Sequence, residues 1–274
     1  MKALKFNPLY LLLLLTFASS CDTSDDPVPE PDLAVVEEDL AVNAALEDLD
    51  NITLSAMSNS SLGMRTAVEI PSNNICAAAT IILDEANKTI SIDFGDGCTS
   101  ENGTVRKGII NLAYSGNVLF QGATIVATFE DYEVNGFQVE GKRTITNTGV
   151  DLDANSISLE VKVENGKVTW PDGSYVTYTS FQSREITLST QGYQASITGT
   201  ASGVSREGFE YSTSVVEPLI FRQDCIATGN TLASSGVLQF DFRGIEVSMD
   251  FGNGACDRSG TVVYPGGSKE ITID

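Results

Sequence analysis

The side chains able to do chemistry in this chain lack one type, and that gap narrows its function. Its 274 residues contain no histidine. Serine–histidine and cysteine–histidine catalysis are thereby excluded, as are histidine-ligated zinc sites. Carboxylates, cysteines and aromatic rings remain. Asp93, Asp96 and Glu101 form one group of oxygen donors in a glycine-rich stretch, and Asp250, Asn253 and Asp257 form another. Calcium accepts oxygen ligands from such loops. The spacing departs from the standard calcium-loop motif, and acids beside glycines also make good turns. The turn reading is favoured, with Asp93, Asp96 and Asp250 kept as calcium candidates. No catalytic metal and no cofactor is expected.

Trp170, Tyr175, Tyr178 and Phe181 make the richest aromatic cluster, around Pro171-Asp172-Gly173. Exposed rings on a sheet can stack on sugars or bind a peptide, so Trp170, Tyr175 and Tyr178 are candidate ligand-binding residues. The plainer reading is cross-strand pairs that stabilise a hairpin. Glycoside hydrolysis needs two carboxylates flanking the scissile bond. Glu130-Asp131 and Asp151/Asp153 are local pairs that nothing distinguishes from solvated surface charge. No residue is assigned a catalytic role. Lys142 and Arg143 stand out in an acidic chain, but neighbours on a strand point to opposite faces and form no common patch.

The N-terminus reports on location. Lys2 and Lys5 precede the apolar run Leu9–Leu15, then Ala18-Ser19-Ser20, then Cys21. A charged start, a short apolar core and small residues before a cut make a secretory signal. The run is too short to span a bilayer, which takes about 20 apolar residues. With the cysteine just after the small residues, the segment looks like a bacterial lipoprotein signal. That resemblance implies cleavage after residue 20 and acylation of Cys21. The formal charge of −21 becomes −23 once residues 1–20, with their two lysines, are removed. So acidic a chain is repelled by nucleic acid, which is not expected as a partner.

Setting Cys21 aside leaves Cys76, Cys98, Cys225 and Cys256. An even number in an exported chain suggests two disulfides, with three connectivities open. Zinc held by four cysteines is the competing idea, but the close paired spacing is missing. An internal repeat chooses among the pairings. Asp93-Phe94-Gly95-Asp96-Gly97-Cys98 and Asp250-Phe251-Gly252-Asn253-Gly254-Ala255-Cys256 each follow a strand of the same parity, and each has an earlier cysteine. The repeat favours Cys76–Cys98 and Cys225–Cys256, in related units near 76–105 and 225–262.

The elements that must position these residues follow from periodicity. Residues 1–20 read as the signal and 21–32, with Pro27, Pro29 and Pro31 among acids, as a stiff lipidated tether. Residues 33–62 read as helix and linker. Val35, Val42, Ala45, Leu46, Leu49 and Ala56 share one face, and most acids fall elsewhere. The helix is expected to pack on the body of the domain. Residues 63–274 read as a β domain. Ile90, Ile92 and Phe94 alternate with polar residues, as do Ile157–Val163, Leu238–Phe242 and Val247–Phe251. Asn135-Gly136, Asn165-Gly166 and Asp172-Gly173 are hairpin signals, with Gln191-Gly192 and Glu207-Gly208 weaker. The fold class is all-β: an antiparallel meander forming a sandwich or strongly curved sheet, with one N-terminal helix; a single-layer sheet wetted on both faces is the alternative.

The whole chain is similar to a family of uncharacterised lipoproteins of Bacteroidota. The likeness rests on Asp93–Cys98, Val139–Asn147, Trp170–Gly173 and Asp250–Asp257. The acidic segment after Cys21 resembles the signal that sends such lipoproteins to the cell surface. The resemblance implies no activity. The expected role is non-enzymatic: a lipoprotein of the outer membrane, on its cell-surface side, anchored by lipid and either binding a glycan or an envelope protein or contributing to an envelope assembly. The alternatives are a carboxylate-dependent polysaccharide hydrolase and, for location, the periplasmic side.

Overall fold

The structure is a computed structural model and describes residues 31–59, 75–190, 192–228, 230 and 232–272. The signal, Cys21, most of the tether and the linker after the helix lie outside the described residues.

A helix, α1 (Ala34–Asn59), comes first. The strands follow: β1 (Thr80–Asp84), β2 (Thr89–Asp93), β3 (Cys98–Thr99), β4 (Val105–Tyr114), β5 (Thr124–Val134), β6 (Phe137–Asp151) and β7 (Ser156–Thr169). After them come β8 (Tyr175–Ser189), β9 (Gly192–Val204) and β10 (Glu210–Arg222). A short helix, α2 (Gln223–Ala227), then leads to β11 (Ser235–Phe242), β12 (Ile245–Asn253), β13 (Ser259–Tyr264) and β14 (Gly267–Thr272). All strands belong to one antiparallel sheet in chain order, with β3 pairing β4 off the main path. The sheet is an open meander, with β1 and β14 at its two edges.

Alternation built it. Ile90, Ile92, Phe240, Phe242, Val247 and Met249 are buried on the inner face. On the outer face opposite charges stand directly across from one another: Lys107 opposite Glu133, Lys142 opposite Glu164, and Glu140 opposite Lys167. Such pairs add modestly to pairing, while the buried face fixes the register.

The sheet curves around α1. From Ala34 to Thr53 only Glu37 is exposed, and a flat sheet would cover one side of a helix and leave the other wet. Leu33, just before α1, and Val36 and Leu40 of its first half pack into a core with Tyr211, Phe240 and Met249. The second half packs Leu49 and Ile52 against Ile90, Ile110 and Tyr132. The helix therefore bridges late and early strands. Its sequence predicts one apolar face with acids outside it; instead Glu38, Asp39 and Asp50 are buried.

Bulges supply the bend. The β4–β5 register shifts at Gly108 and the β6–β7 register at Gly141. Both have positive φ, +76° and +113°. A Cβ at Gly108 would stand 2.2 Å from the Asp131 carbonyl oxygen, and one at Gly141 2.6 Å from that of Asn165. Only glycine fits, and bulges bend and twist the strand that carries them.

Two expectations need correction. Asn165-Gly166 does not turn the chain; it lies inside β7 at a bulge against β8. The left-handed φ of +52° at Asn165 suits a bulge as well as a turn, so the dipeptide alone could not decide. Asn135-Gly136 and Glu207-Gly208 do close hairpins, and Asp172-Gly173 turns β7 into β8; Gln191 lies outside the described residues. The second correction is α2, a five-residue helix that carries Cys225 where a strand is expected. The disulfides are Cys76–Cys98 and Cys225–Cys256, spanning 22 and 31 residues. Each closes a local unit and stabilises by about 3–4 kcal/mol on the chain-entropy account.

Candidate functional site

The repeated glycine turns use their acids internally. The Asp93 carboxylate accepts a hydrogen bond from the Gly95 amide at 2.8 Å, and Asp250 accepts one from Gly252 at 2.8 Å. Asp96 is exposed. Among the described residues one group of three metal-type ligands comes together, Asp224, Cys225 and Cys256, and its sulfurs form a disulfide. Asp93 and Asp250 are thus turn caps in separate loops.

The aromatic candidates separate. Tyr175 is exposed on the outer face with the Lys167 ammonium 5.1 Å from its ring. Tyr178, three residues on, points inward and donates its hydroxyl to the Asn43 side chain of α1 at 3.0 Å. A period of two puts positions three apart on opposite faces, so Tyr178 belongs to no surface site. Trp170 is half-buried: Phe137 meets it edge-on at 5.3 Å, and the Arg206 guanidinium lies 5.0 Å over its ring. Arg206 also pairs with Asp172 at 2.6 Å, and that pairing, after the bonds from Ser174, holds the Asp172 carboxyl below its usual range.

The interior holds charges that sequence reading missed. Arg106 on β4 makes a two-pronged pair with Asp48 of α1. Arg143 on β6 grips Asp50 at 2.7 and 2.6 Å. Arg184 on β8 grips Glu47 at 3.0 and 2.6 Å and reaches Asp50 at 2.8 Å. Three alternate strands each send an arginine to one helix. Burial alone would raise the Asp50 pKa, but Arg143 and Arg184 outweigh it and hold the carboxyl low. Burial likewise works against charged Arg184, yet Glu47 and Asp50 keep it protonated. One signal was available: Arg143 shares its strand parity with Val139 and Ile145, both buried.

Asp39 differs, since among the described residues no cation meets it. It is fully buried, accepting from the Tyr211 hydroxyl at 3.2 Å and the Asn43 amide at 2.8 Å. Burial pushes its pKa up to about 7, against the smaller opposing effect of those two bonds. It lines none of the cavities described here.

One cavity uses the opening of the curved sheet. It holds about 410 Å³, with α1 as floor: Ala41, Ala44, Ala45, Asp48 and Asn51. One wall is Asn102, Thr104, Asn135 and Phe137; the other is Ile226, Thr228, Leu232 and Arg258. Its polar groups are held in place. The Asn102 amide oxygen accepts from the Ser100 hydroxyl at 2.6 Å and the Thr104 amide at 3.2 Å. The Asn135 oxygen accepts from the Val105 amide at 3.0 Å. In both, the NH₂ half is the part left for a ligand. Among the described residues Asp48 is the sole acid of the lining, and Arg106 takes both its oxygens.

Two other cavities offer less. A groove of about 580 Å³ lies on the outer face of β7–β11, among Thr179, Phe181, Thr200, Ser202 and Ser212. A 50 Å³ space between α1 and β8–β12 is mainly apolar. No family model, no curated protein and no solved structure matches the chain.

Proposed function

We propose that this is a non-enzymatic binding protein, held at the outer membrane by lipid on Cys21 and facing the cell surface, with the 410 Å³ cavity over α1, the seam cleft, as its site. It would belong with the Bacteroidota lipoproteins it resembles. The observation that carries the reading is the cleft lining: a preformed cavity of mixed polar and apolar side chains whose one described carboxylate is neutralised by Arg106. Acid–base hydrolysis needs a second carboxylate facing the first across the bond to be cut, and the described residues of the lining offer none. The acidic, proline-rich segment before α1 suits a tether that gives the body reach.

The test has two arms. Cys21→Ser should move the protein from the membrane fraction to the soluble fraction, and protease added to intact cells should remove the β domain. Full protection until lysis would place it on the periplasmic side. In the second arm, the intact protein is incubated with envelope polysaccharide. Retention without new reducing ends is expected. Release of reducing ends that Asp48→Asn abolishes would replace this reading with the hydrolase.

A further inference from the structure

We propose that the seam cleft is a saccharide site for a short neutral glycan; this deepens the binding role proposed above and rests on it. The cavity, about 410 Å³, falls within the usual small-ligand range of roughly 300–1,000 Å³. The ligand class follows from charge, polarity and shape.

Charge removes ions. The Asp48 carboxylate and the Arg106 guanidinium cancel each other. A cationic ligand would therefore find no unpaired acid in the lining. Arg258 on one wall is the remaining charge of the described lining, but an anionic ligand must approach a chain of net charge −21, and that field opposes it.

Polarity removes hydrocarbon. Asn102 and Asn135 offer amide donors fixed by their own backbone bonds, and Asn51 adds an amide from the floor. A purely apolar ligand would strip water from these groups and return no bond, which costs about 1–3 kcal/mol for each. Hydroxyls of a sugar accept from amide NH₂ groups and donate to carbonyls.

Shape disfavours an extended peptide. Peptides gain affinity by adding a strand to a sheet edge. Here one wall is made of turns, the floor is a helix, and the edge strands β1 and β14 are not in the lining. A pyranose has what the lining matches: polar rims and an apolar face. Phe137, half-buried, offers a ring to that face, and the methyl groups of Ala41 and Ala44 give a floor without bulk.

Phe137 also supplies the readout, because it touches Trp170 at 5.3 Å and Trp170 is the sole tryptophan. The intact protein in detergent is titrated with a panel of neutral di- and trisaccharides of hexoses and N-acetylhexosamines. A trigalacturonate, a lysine tripeptide and an alanine tripeptide serve as charged and peptide comparisons. Binding is followed by Trp170 emission and by calorimetry.

At least one neutral saccharide should saturate both signals. Asn51→Ala should weaken it about five- to tenfold, as expected for one lost hydrogen bond. Ala41→Phe, which fills the floor, should abolish it. Phe181→Ala on the outer groove should leave it unchanged. Asn51→Ala keeps the test sharp if Ala41→Phe unfolds. Failure of every neutral saccharide, or binding that Asn51→Ala leaves untouched, overturns the proposal. Binding of the charged or peptide probes alone overturns the ligand class and keeps the binding role. Hydrolysis of a bound saccharide instead overturns the binding role.

Discussion

Asp39 is the residue whose surroundings have the clearest consequence. An ionised carboxylate with two neutral donors and no cation is expensive to bury. Its pKa rises from 3.8 to about 7. The native state therefore holds this proton where the unfolded chain has lost it. The favourable contribution is complete below about pH 4 and is lost as pH rises through 7. The full difference is of the order of 4 kcal/mol. Asp39→Asn should keep a partner for Tyr211 and remove that loss. Urea unfolding should find the variant more stable than wild type at pH 8 and nearly equal at pH 4. Equal curves at both values would mean that Asp39 is not titrating inside the fold. Glu38, whose pKa burial also raises, slopes the same way, so the comparison must be made against wild type at each pH.

The arginines slope the other way. Asp50 is held low by Arg143 and Arg184, so its contribution is present above about pH 4 and lost as pH falls through its folded pKa. Arg143→Ala would leave Asp50 buried with one partner. Removing one side of a buried pair costs about 3–5 kcal/mol. Denaturant midpoints at pH 7 should fall accordingly. The double change Arg143→Leu with Asp50→Leu should recover part of the loss, because no uncompensated charge then remains. A double variant as weak as the single would show that packing, not charge, sets the cost.

At the scale of elements, the bend of the sheet and the seating of α1 depend on each other. A surface helix keeps one polar side; α1 has almost none, and three of its acids, Glu47, Asp48 and Asp50, are neutralised by arginines from three strands. The curvature that allows this rests on bulges. Gly141→Ala would force a side chain into a φ of +113° and against a carbonyl oxygen 2.6 Å away. A backbone atom in a ladder cannot step aside. Gly141→Ala should destabilise by more than about 1 kcal/mol. Gly149→Ala, where nothing lies within 4 Å and φ is not positive, should be nearly neutral in the same thermal melt. Comparable losses in both would refute the bulge argument.

For the whole molecule, two kinds of charge respond differently to salt. Exposed acids dominate the net charge of −21, and their mutual repulsion is screened as the Debye length shortens from about 10 Å at 0.1 M to about 3 Å at 1 M. The pairs around α1 have nearly buried arginines and are screened much less. Added sodium chloride should therefore raise the melting temperature. A fall would mean that the interior pairs are wetter than their burial indicates.

What the sequence by itself determined was local. Alternation at Ile90–Phe94 and Val247–Phe251, the turn at Asn135-Gly136 and the doubled Asp-Phe-Gly turn with its cysteines led to the strands, the meander and both disulfides. Each is a pattern between near neighbours, and the backbone answers such patterns directly. Tertiary structure alone decided where the charges went. Arg106 meets Asp48 from 58 residues away, and Arg143 meets Asp50 from 93. Nothing near either acid announces its partner, so a helical acid reads as solvated until the sheet closes over it. It also chose between bulge and turn at Asn165-Gly166, because the same φ serves both and only the neighbouring strands select one. The seam cleft belongs to the same class: its floor and its two walls come from separate parts of the chain, and only the curvature of the sheet brings them together.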